Sequence, residues 1–117
     1  GTPLEWACST GSAAMVRTLV NANARVSQIC VKYALLKRDR NFIEPVMSAA
    51  GGMAMISKEL REALNNKNQS SIDNILELCP NLADEDTDAF YRRREMRWEL
   101  VIENANKRQK FVDYDGC

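Results

Sequence analysis

Histidine is absent from the 117 residues of the chain. This absence excludes the Ser-His-Asp and Cys-His arrangements of nucleophilic catalysis, because both need an imidazole as the base. It also excludes every zinc site with a histidine ligand. Paired carboxylates for acid–base chemistry stay open, but no pattern marks a pocket around them. We therefore expect the chain not to be an enzyme and to need no cofactor.

Cysteine is scarce, and its spacing contains no C-x-x-C pair. The four cysteines are Cys8, Cys30, Cys79 and Cys117. A zinc site made of all four thiolates would require the fold to gather them, since no local spacing does so. The composition is also not that of a small secreted domain held by disulfides. We expect Cys8 to be a buried free thiol and the protein to be cytoplasmic or nuclear.

Long apolar runs and phosphate-binding loops are also missing. A membrane-spanning helix needs about 20 consecutive apolar residues, and the runs in this chain are only a few residues long. Gly51-Gly52 lacks both a following Lys-Ser/Thr and the G-x-G-x-x-G spacing of nucleotide-binding loops. The sequence thus predicts neither a membrane segment nor a nucleotide site.

The chain has no excess of either charge, with 16 basic and 16 acidic residues. A net charge of zero argues against general nucleic-acid binding, since no overall field attracts a polyanion. Hydrophobic residues make up 45% of the chain and charged residues 27%, which is typical of a globular protein rather than a disordered one. The length suits one domain with a modest core.

What the sequence does contain is a helical pattern in residues 1–27. Thr2-Pro3-Leu4 is a typical helix start, and an apolar face returns after Gly11 with Met15, Val16, Leu19 and Val20. This order predicts a turn, a short helix, a glycine turn with left-handed Gly11, a second helix and a loop. It resembles an ankyrin repeat, whose family opens with T-P-L-H-x-A. Glu5 stands where the family has histidine, and Asn23 stands where it has glycine, a place where asparagine also tolerates the left-handed conformation.

Two weaker copies of the pattern follow, at 28–56 and 57–84. Shifts of 27 and 56 residues place apolar residues in corresponding positions: Leu4 with Val31 and Leu60, Ala7 with Ala34 and Ala63, and Val16 with Ile43 and Ile72. We expect Ser57 to cap the first helix of the third copy, and Ser70 or Ser71 to cap its second. Pro45 falls inside a predicted helix, which we expect to begin near it or to kink there.

Residues 85–112 do not fit the repeat. They predict one long charged helix, capped by Thr87, which serves either as a cap on the third copy or as a linker. Residues 113–117 are a turn that resembles the loop before a further repeat. With the repeat-like start, this predicts an excerpt from a longer array. The alternative is a chain that ends in a turn by chance.

The resemblance implies an all-α fold, an ankyrin-like α-solenoid of stacked helix pairs with a long charged C-terminal helix. It also implies a protein–protein interaction module, a scaffold or adaptor that binds another protein through its concave face and loop tips. We expect a monomer or a part of a longer array. Carried over by position, the protein-binding residues are Ser9, Thr10, Leu36, Lys37, Asn65 and Asn66. Trp6 is a further anchor if it is exposed, but it could instead pack against Tyr33.

Two other functions stay open. The basic stretch 91–98 offers cations beside Tyr91 and Trp98, which suits phosphates and stacked bases, although Glu95 lies among them. Its candidate nucleic-acid-binding residues are Arg92, Arg93, Arg94 and Arg97. The third interpretation is a purely structural segment of a longer solenoid that binds nothing itself.

Overall fold

The structure is a computed structural model that describes residues 2–94, and these residues form helices joined by short turns. No β-strand occurs among them, which confirms the all-α fold class. A short 3-10 helix, Pro80–Leu82, precedes the last α-helix. The α-helices are α1 (Pro3–Ser9), α2 (Ala13–Asn21), α3 (Gln28–Leu36), α4 (Arg40–Ser48), α5 (Gly52–Asn65), α6 (Gln69–Leu78) and α7 (Glu85–Arg93).

The chain divides into two compact units, Gly1–Glu62 and Ala63–Cys117. In the first unit α1 packs against α2 and α3, and α4 packs against the same two helices. Each helix contributes the apolar stripe that the 3.6-residue period predicts. The core of this unit consists of Leu4, Ala7, Cys8, Val16, Val26, Cys30, Val31, Ala34, Leu35, Ile43, Val46, Ile56 and Leu60.

The first four helices begin at polar capping residues. Thr2, Ser12, Ser27 and Asp39 each accept a hydrogen bond from a backbone N–H in the first turn of the helix that follows. At α1 the cap is reciprocal, because the Glu5 carboxylate accepts from the Thr2 backbone N–H. The sequence itself therefore sets where these helices start.

Several turns between the helices contain a residue in the left-handed conformation, but Gly11, which was predicted to adopt it, does not. Asn23 has φ 65, as predicted. Gly11 has no positive φ; it is needed because a Cβ there would lie 2.8 Å from the Ala7 Cα. Arg38 and Lys67 both have φ 54, so two long side chains take the conformation that glycine takes most easily.

Pro45 neither starts α4 nor delays it. The helix begins at Arg40, is capped by Asp39 and runs through a buried Pro45 to Ser48. The missing Pro45 N–H would have bonded the carbonyl four residues earlier, at Asn41. Because Asn41 is exposed, water can bond that carbonyl instead, and the proline ring adds apolar surface to the core.

Helix α5 also begins earlier than predicted. It starts at Gly52, so Ser57 lies inside the helix and is not its cap. Polar side chains of α3 contact this helix within the first unit. Gln28 Nε2 donates to the Met55 carbonyl at 2.9 Å and to Glu59 Oε2 at 2.5 Å. Lys32 Nζ lies 3.5 Å from Glu59 and 3.7 Å from a Glu62 oxygen.

The second unit contains the end of α5, then α6, the 3-10 helix and α7. Asn68 caps α6, so neither Ser70 nor Ser71 does, and Cys79 ends it. Asp84 caps α7, and Thr87 lies three residues into the helix, where its hydroxyl accepts from the Asp84 N–H. The core of this unit includes Ile72, Ile75, Leu76, Leu78, Cys79, Phe90 and Tyr91.

The predicted long helix is described only in its first part. Helix α7 spans Glu85–Arg93, and Arg94 follows in a turn. Phe90, on this helix, is buried. The described residues do not include positions 95–112 of the predicted helix or the turn at 113–117, and therefore not Arg97, Trp98 or Cys117.

The fold is predicted to lose stability at alkaline pH, because it buries a thiol and a phenol hydroxyl in their protonated forms. Cys8 is a buried free thiol, as expected, and burial raises its pKa from 9.0 to about 12. Tyr91 is fully buried and donates its hydroxyl to the Asp73 carboxylate; burial first, and then this bond, raises its pKa above the ordinary 10.0. In the unfolded chain both groups ionise near their ordinary values. The stability that depends on these two groups is therefore fully present below about pH 9. Above that pH it falls, by up to about 1.4 kcal/mol per pH unit for each group.

Urea unfolding at pH 7 to 11, followed by circular dichroism, measures this fall. We expect Cys8→Ala to remove the part of the slope that begins near pH 9. Tyr91→Phe should remove the part above pH 10, at the cost of about 1–3 kcal/mol at neutral pH for the lost hydrogen bond. Equal slopes for the wild type and both variants would contradict the assignment of these two groups.

Candidate binding surface

The outward faces of α1 and α3 carry an apolar strip made of Trp6, Ile29, Tyr33 and Leu36. The exposed fractions of these side chains are 55%, 49%, 41% and 74%. Positions 29, 33 and 36 share one face of α3, since they are spaced by four and then three residues. Trp6, on the neighbouring α1, borders the same groove as Ile29 and Tyr33. Four large apolar side chains are thus exposed together rather than scattered.

The groove between α1 and α3 has a volume of about 450 Å³. Its lining residues are Thr2, Glu5, Trp6, Ser9, Ile29 and Tyr33. Sequence reasoning left open whether Tyr33 would cover Trp6. In the structure both rings border the groove, and both keep at least two fifths of their surface exposed.

Helix α3 is apolar on two faces, which is why it can line both the core and the groove. Its inner face buries Cys30, Val31, Ala34 and Leu35. A helix with apolar residues all round is normally buried all round. Ile29 was not among the predicted site residues, because the shifts carried over only the positions that correspond to Ser9 and Thr10. The signal that could have found it is the sequence QICVKYALL, which has more apolar residues than one buried face can use.

Glu5 fixes the polar end of the groove. Its Oε1 accepts from the Thr2 backbone N–H at 3.2 Å, and its Oε2 accepts from the Ser27 hydroxyl at 2.9 Å. These two donors, Thr2 first, hold the pKa of the Glu5 carboxyl below its ordinary value. The carboxylate therefore joins the starts of α1 and α3.

The opposite end of the strip is basic. Lys37 caps the end of α3, and Arg38 follows it in the turn; we call these two residues the basic end. Lys37 Nζ donates to the Ser9 carbonyl at 2.8 Å and lies 5.4 Å from the centre of the Phe42 ring. Within residues 2–94 neither side chain of the basic end forms an ion pair.

The structure brings four of the six predicted protein-binding residues together. Ser9 and Thr10 end α1, and both hydroxyls donate to the Trp6 carbonyl, at 3.1 and 3.2 Å. The Lys37–Ser9 hydrogen bond joins this end to the end of α3, where Leu36 is exposed. Asn65 and Asn66, at the end of α5, are also exposed but belong to the second unit.

Two of the four candidate nucleic-acid residues, Arg92 and Arg94, have intramolecular partners in the second unit. Arg92 forms an ion pair with Asp88. Arg94 donates to Gln69 Oε1 at 2.9 Å and to the Lys67 carbonyl at 3.3 Å, and its guanidinium lies 4.4 Å from the centre of the Phe90 ring. Tyr91 is fully buried and so cannot stack on a base. Arg93 is exposed.

A second groove, of about 560 Å³, lies beside the turns that follow α2 and α4. Its lining residues are mostly small or polar: Val20, Asn21, Asn23, Ala24, Arg25, Val26, Ser48, Ala49 and Ala50. It offers no large exposed apolar side chain to anchor a partner. In the described part of the chain, no group of three or more His, Cys, Asp or Glu residues could hold a metal ion.

No protein-family model, curated protein or solved structure matches the chain. None of the helices described here combines the length and the hydrophobicity needed to cross a lipid bilayer.

Proposed function

We propose that this chain is a protein-recognition module and that its partner binds the apolar strip of α1 and α3. The observation that carries the proposal is the joint exposure of Trp6, Ile29, Tyr33 and Leu36. Single exposed apolar residues are normal on protein surfaces, but a contiguous patch usually marks an interaction site. Trp and Tyr are also the residues most enriched among those that dominate binding energy.

We further propose that the helices of the first unit stack as in an ankyrin-like solenoid, in the pairs α1/α2 and α3/α4. The packing of α1 on α3 and of α2 on α4 supports this arrangement. So does the burial pattern at three of the positions that the two shifts align, since all three copies are buried there: Leu4, Val31 and Leu60; Ala7, Ala34 and Ala63; Val16, Ile43 and Ile72. In such a stack α1 and α3 are first helices of their pairs, and the apolar strip lies on the concave face.

The neighbouring polar residues complete the proposed surface. Ser9 and Thr10 border the strip at the end of α1, and Lys37 reaches across to Ser9. Because that hydrogen bond is already made within the chain, Lys37 is held in place before a partner arrives. A fixed geometry lowers the entropy that binding costs. Nucleic-acid binding through α7 has less support, because Arg92 and Arg94 are engaged within the chain.

The test is affinity capture from a cell lysate, with and without nuclease, read by mass spectrometry. The strip variant carries Trp6→Ser, Ile29→Ser, Tyr33→Ser and Leu36→Ser. The matched control is Met15→Ser, which replaces an apolar side chain on α2 that is 39% exposed. We expect a nuclease-resistant set of protein partners that the control retains and the strip variant loses. Thermal unfolding should show that both variants are folded.

Two results would overturn this proposal. Capture that the strip variant leaves unchanged would show that the partner binds elsewhere, and Asn65→Asp with Asn66→Asp would then test the third predicted pair. Capture that nuclease abolishes, and that is lost when Arg92, Arg93, Arg94 and Arg97 become alanine, would replace protein recognition with nucleic-acid binding.

A further inference from the structure

The apolar strip has ends of different charge character. Glu5 lies at the end where α3 begins, because its carboxylate accepts from Ser27, the residue that caps that helix. Lys37 and Arg38 lie at the end where α3 finishes. A nine-residue helix with a rise of 1.5 Å per residue separates the two ends by about 12 Å. A partner lying along the strip therefore meets a carboxylate at one end and cations at the other.

The acidic groups near the strip already have donors within the chain. Glu5 accepts from Thr2 and Ser27, and Glu59 and Glu62 lie within ion-pair distance of Lys32. Asp39 directly follows the basic end, but its carboxylate accepts from the Asn41 backbone N–H as the cap of α4.

Among residues 2–94, the cations of the basic end have no ion-pair partner. In the described part of the chain Lys37 binds a carbonyl and lies over a ring, and neither it nor Arg38 meets a carboxylate. The first unit as a whole is also basic, with eight Lys or Arg and five Asp or Glu residues between positions 2 and 62. The uncompensated positive charge that borders the strip is therefore concentrated at one end.

We propose that the occupant of the strip is a short acidic and apolar segment of a partner protein. Its apolar side chains cover Trp6, Ile29, Tyr33 and Leu36, and its carboxylates meet Lys37 and Arg38, which fixes its direction along the groove. This inference rests on the proposed function and names the chemistry of the partner. Complementary charge at one end gives specificity and direction, while the apolar contacts provide most of the affinity.

The size of the strip sets the length of the probe. About 12 Å corresponds to roughly four residues of extended chain or eight residues of helix. Random 12-residue peptides can therefore occupy the strip in either conformation and still reach the basic end. The test selects such peptides from a displayed library on the whole chain, after removing those that also bind the strip variant.

We expect the enriched peptides to combine Trp, Phe, Leu, Ile or Met with at least one Asp or Glu. For a synthesised enriched peptide, changing its acidic residues to Asn or Gln should weaken binding about tenfold. The double variant Lys37→Glu with Arg38→Glu should bind the acidic peptide about tenfold more weakly than the wild type does. It should bind more tightly a peptide whose acidic residues are replaced by Lys. Binding of the acidic peptide should also weaken as salt rises, because exposed charges are screened.

The matched control for charge is Arg17→Glu with Arg25→Glu. It changes the net charge of the chain equally, but its residues lie on α2 and in the turn after it, away from the strip. We expect this control to bind the acidic peptide within about twofold of the wild type. Equal losses in the two charge variants would reduce the effect to general attraction and overturn the inference.

The remaining outcomes separate the inference from the proposed function. Enriched peptides that are apolar without acidic residues, and that bind the Lys37/Arg38 variant normally, overturn the inference and leave the proposed function standing. Enriched peptides that are acidic but bind the strip variant as well as the wild type overturn both. A selection that enriches no peptide over the strip variant also counts against both.

Discussion

We expect Gly52→Ala to destabilise the protein by about 3–5 kcal/mol, a large share of the 5–15 kcal/mol by which most domains are stable. A Cβ at this position would lie 1.8 Å from the carbonyl oxygen of Val46 and 2.9 Å from its carbonyl carbon. Both are backbone atoms of the last turn of α4, so no side-chain rotation relieves the contact. The start of α5 would have to move away from α4, and Gly52 is buried at that junction.

The adjacent glycine provides the matched comparison. Gly51 has φ 75 and open space around its Cβ position, so Gly51→Ala costs only the strain of a left-handed alanine, about 1–2 kcal/mol. Urea unfolding of both variants at neutral pH measures the difference. If Gly52→Ala were as stable as Gly51→Ala, α5 would not approach the Val46 carbonyl in the way described. The pair would also show that these glycines serve packing and a turn, since they lack the spacing of a phosphate-binding loop.

The sequence predicted the buried face of the helices better than their ends. The shifts of 27 and 56 residues alone aligned Val16 with Ile43 and Ile72, and all three are fully buried. Burial depends on which face a residue occupies, and the spacing of apolar residues determines the face. Helix starts depend on competition between nearby caps. Asn68 caps α6 in place of Ser70 or Ser71, and Asp84 caps α7 in place of Thr87. Each of these two caps precedes the predicted one in the chain and accepts a hydrogen bond from a backbone N–H in the first turn of its helix.

Helix α5 shows why local signals were insufficient for the third copy. Ser57 is a good capping residue, and Gly51-Gly52 looks like a break, so the sequence placed the start six residues late, at 58 instead of 52. The helix instead begins where Gly52 lets it approach the end of α4. That close contact is tertiary, and no window of sequence around Ser57 contains it.

The candidate site could be predicted in position but not in chemistry. Ser9, Thr10, Leu36 and Lys37 came from aligning the copies with one another, and the structure places them at neighbouring helix ends. The apolar strip could not be deduced in the same way, because exposed and buried apolar residues alternate along α3. Which of them face outward depends on how α3 is rotated against α1 and α4, and only the packing sets that rotation.

Two adjacent leucines of α3 test this rotation directly. Leu35 is 6% exposed and Leu36 is 74% exposed, although they are chemically identical neighbours. We expect Leu35→Ala to cost about 2–5 kcal/mol of unfolding free energy, since it removes buried contacts and leaves a cavity. Leu36→Ala should stay within about 0.5 kcal/mol of the wild type, because that side chain is already in water.

Binding should respond in the opposite order. Leu36→Ala removes part of the apolar strip, so we expect it to weaken the selected peptides five- to tenfold while the protein stays fully folded. If Leu35→Ala unfolds the chain, Leu35→Met keeps most of the buried volume, should cost less than about 1.5 kcal/mol, and leaves the outer face unchanged. Its peptide affinity should match the wild type. Equal stability losses at the two positions would mean that α3 is rotated differently, and the apolar strip would then not exist as a surface.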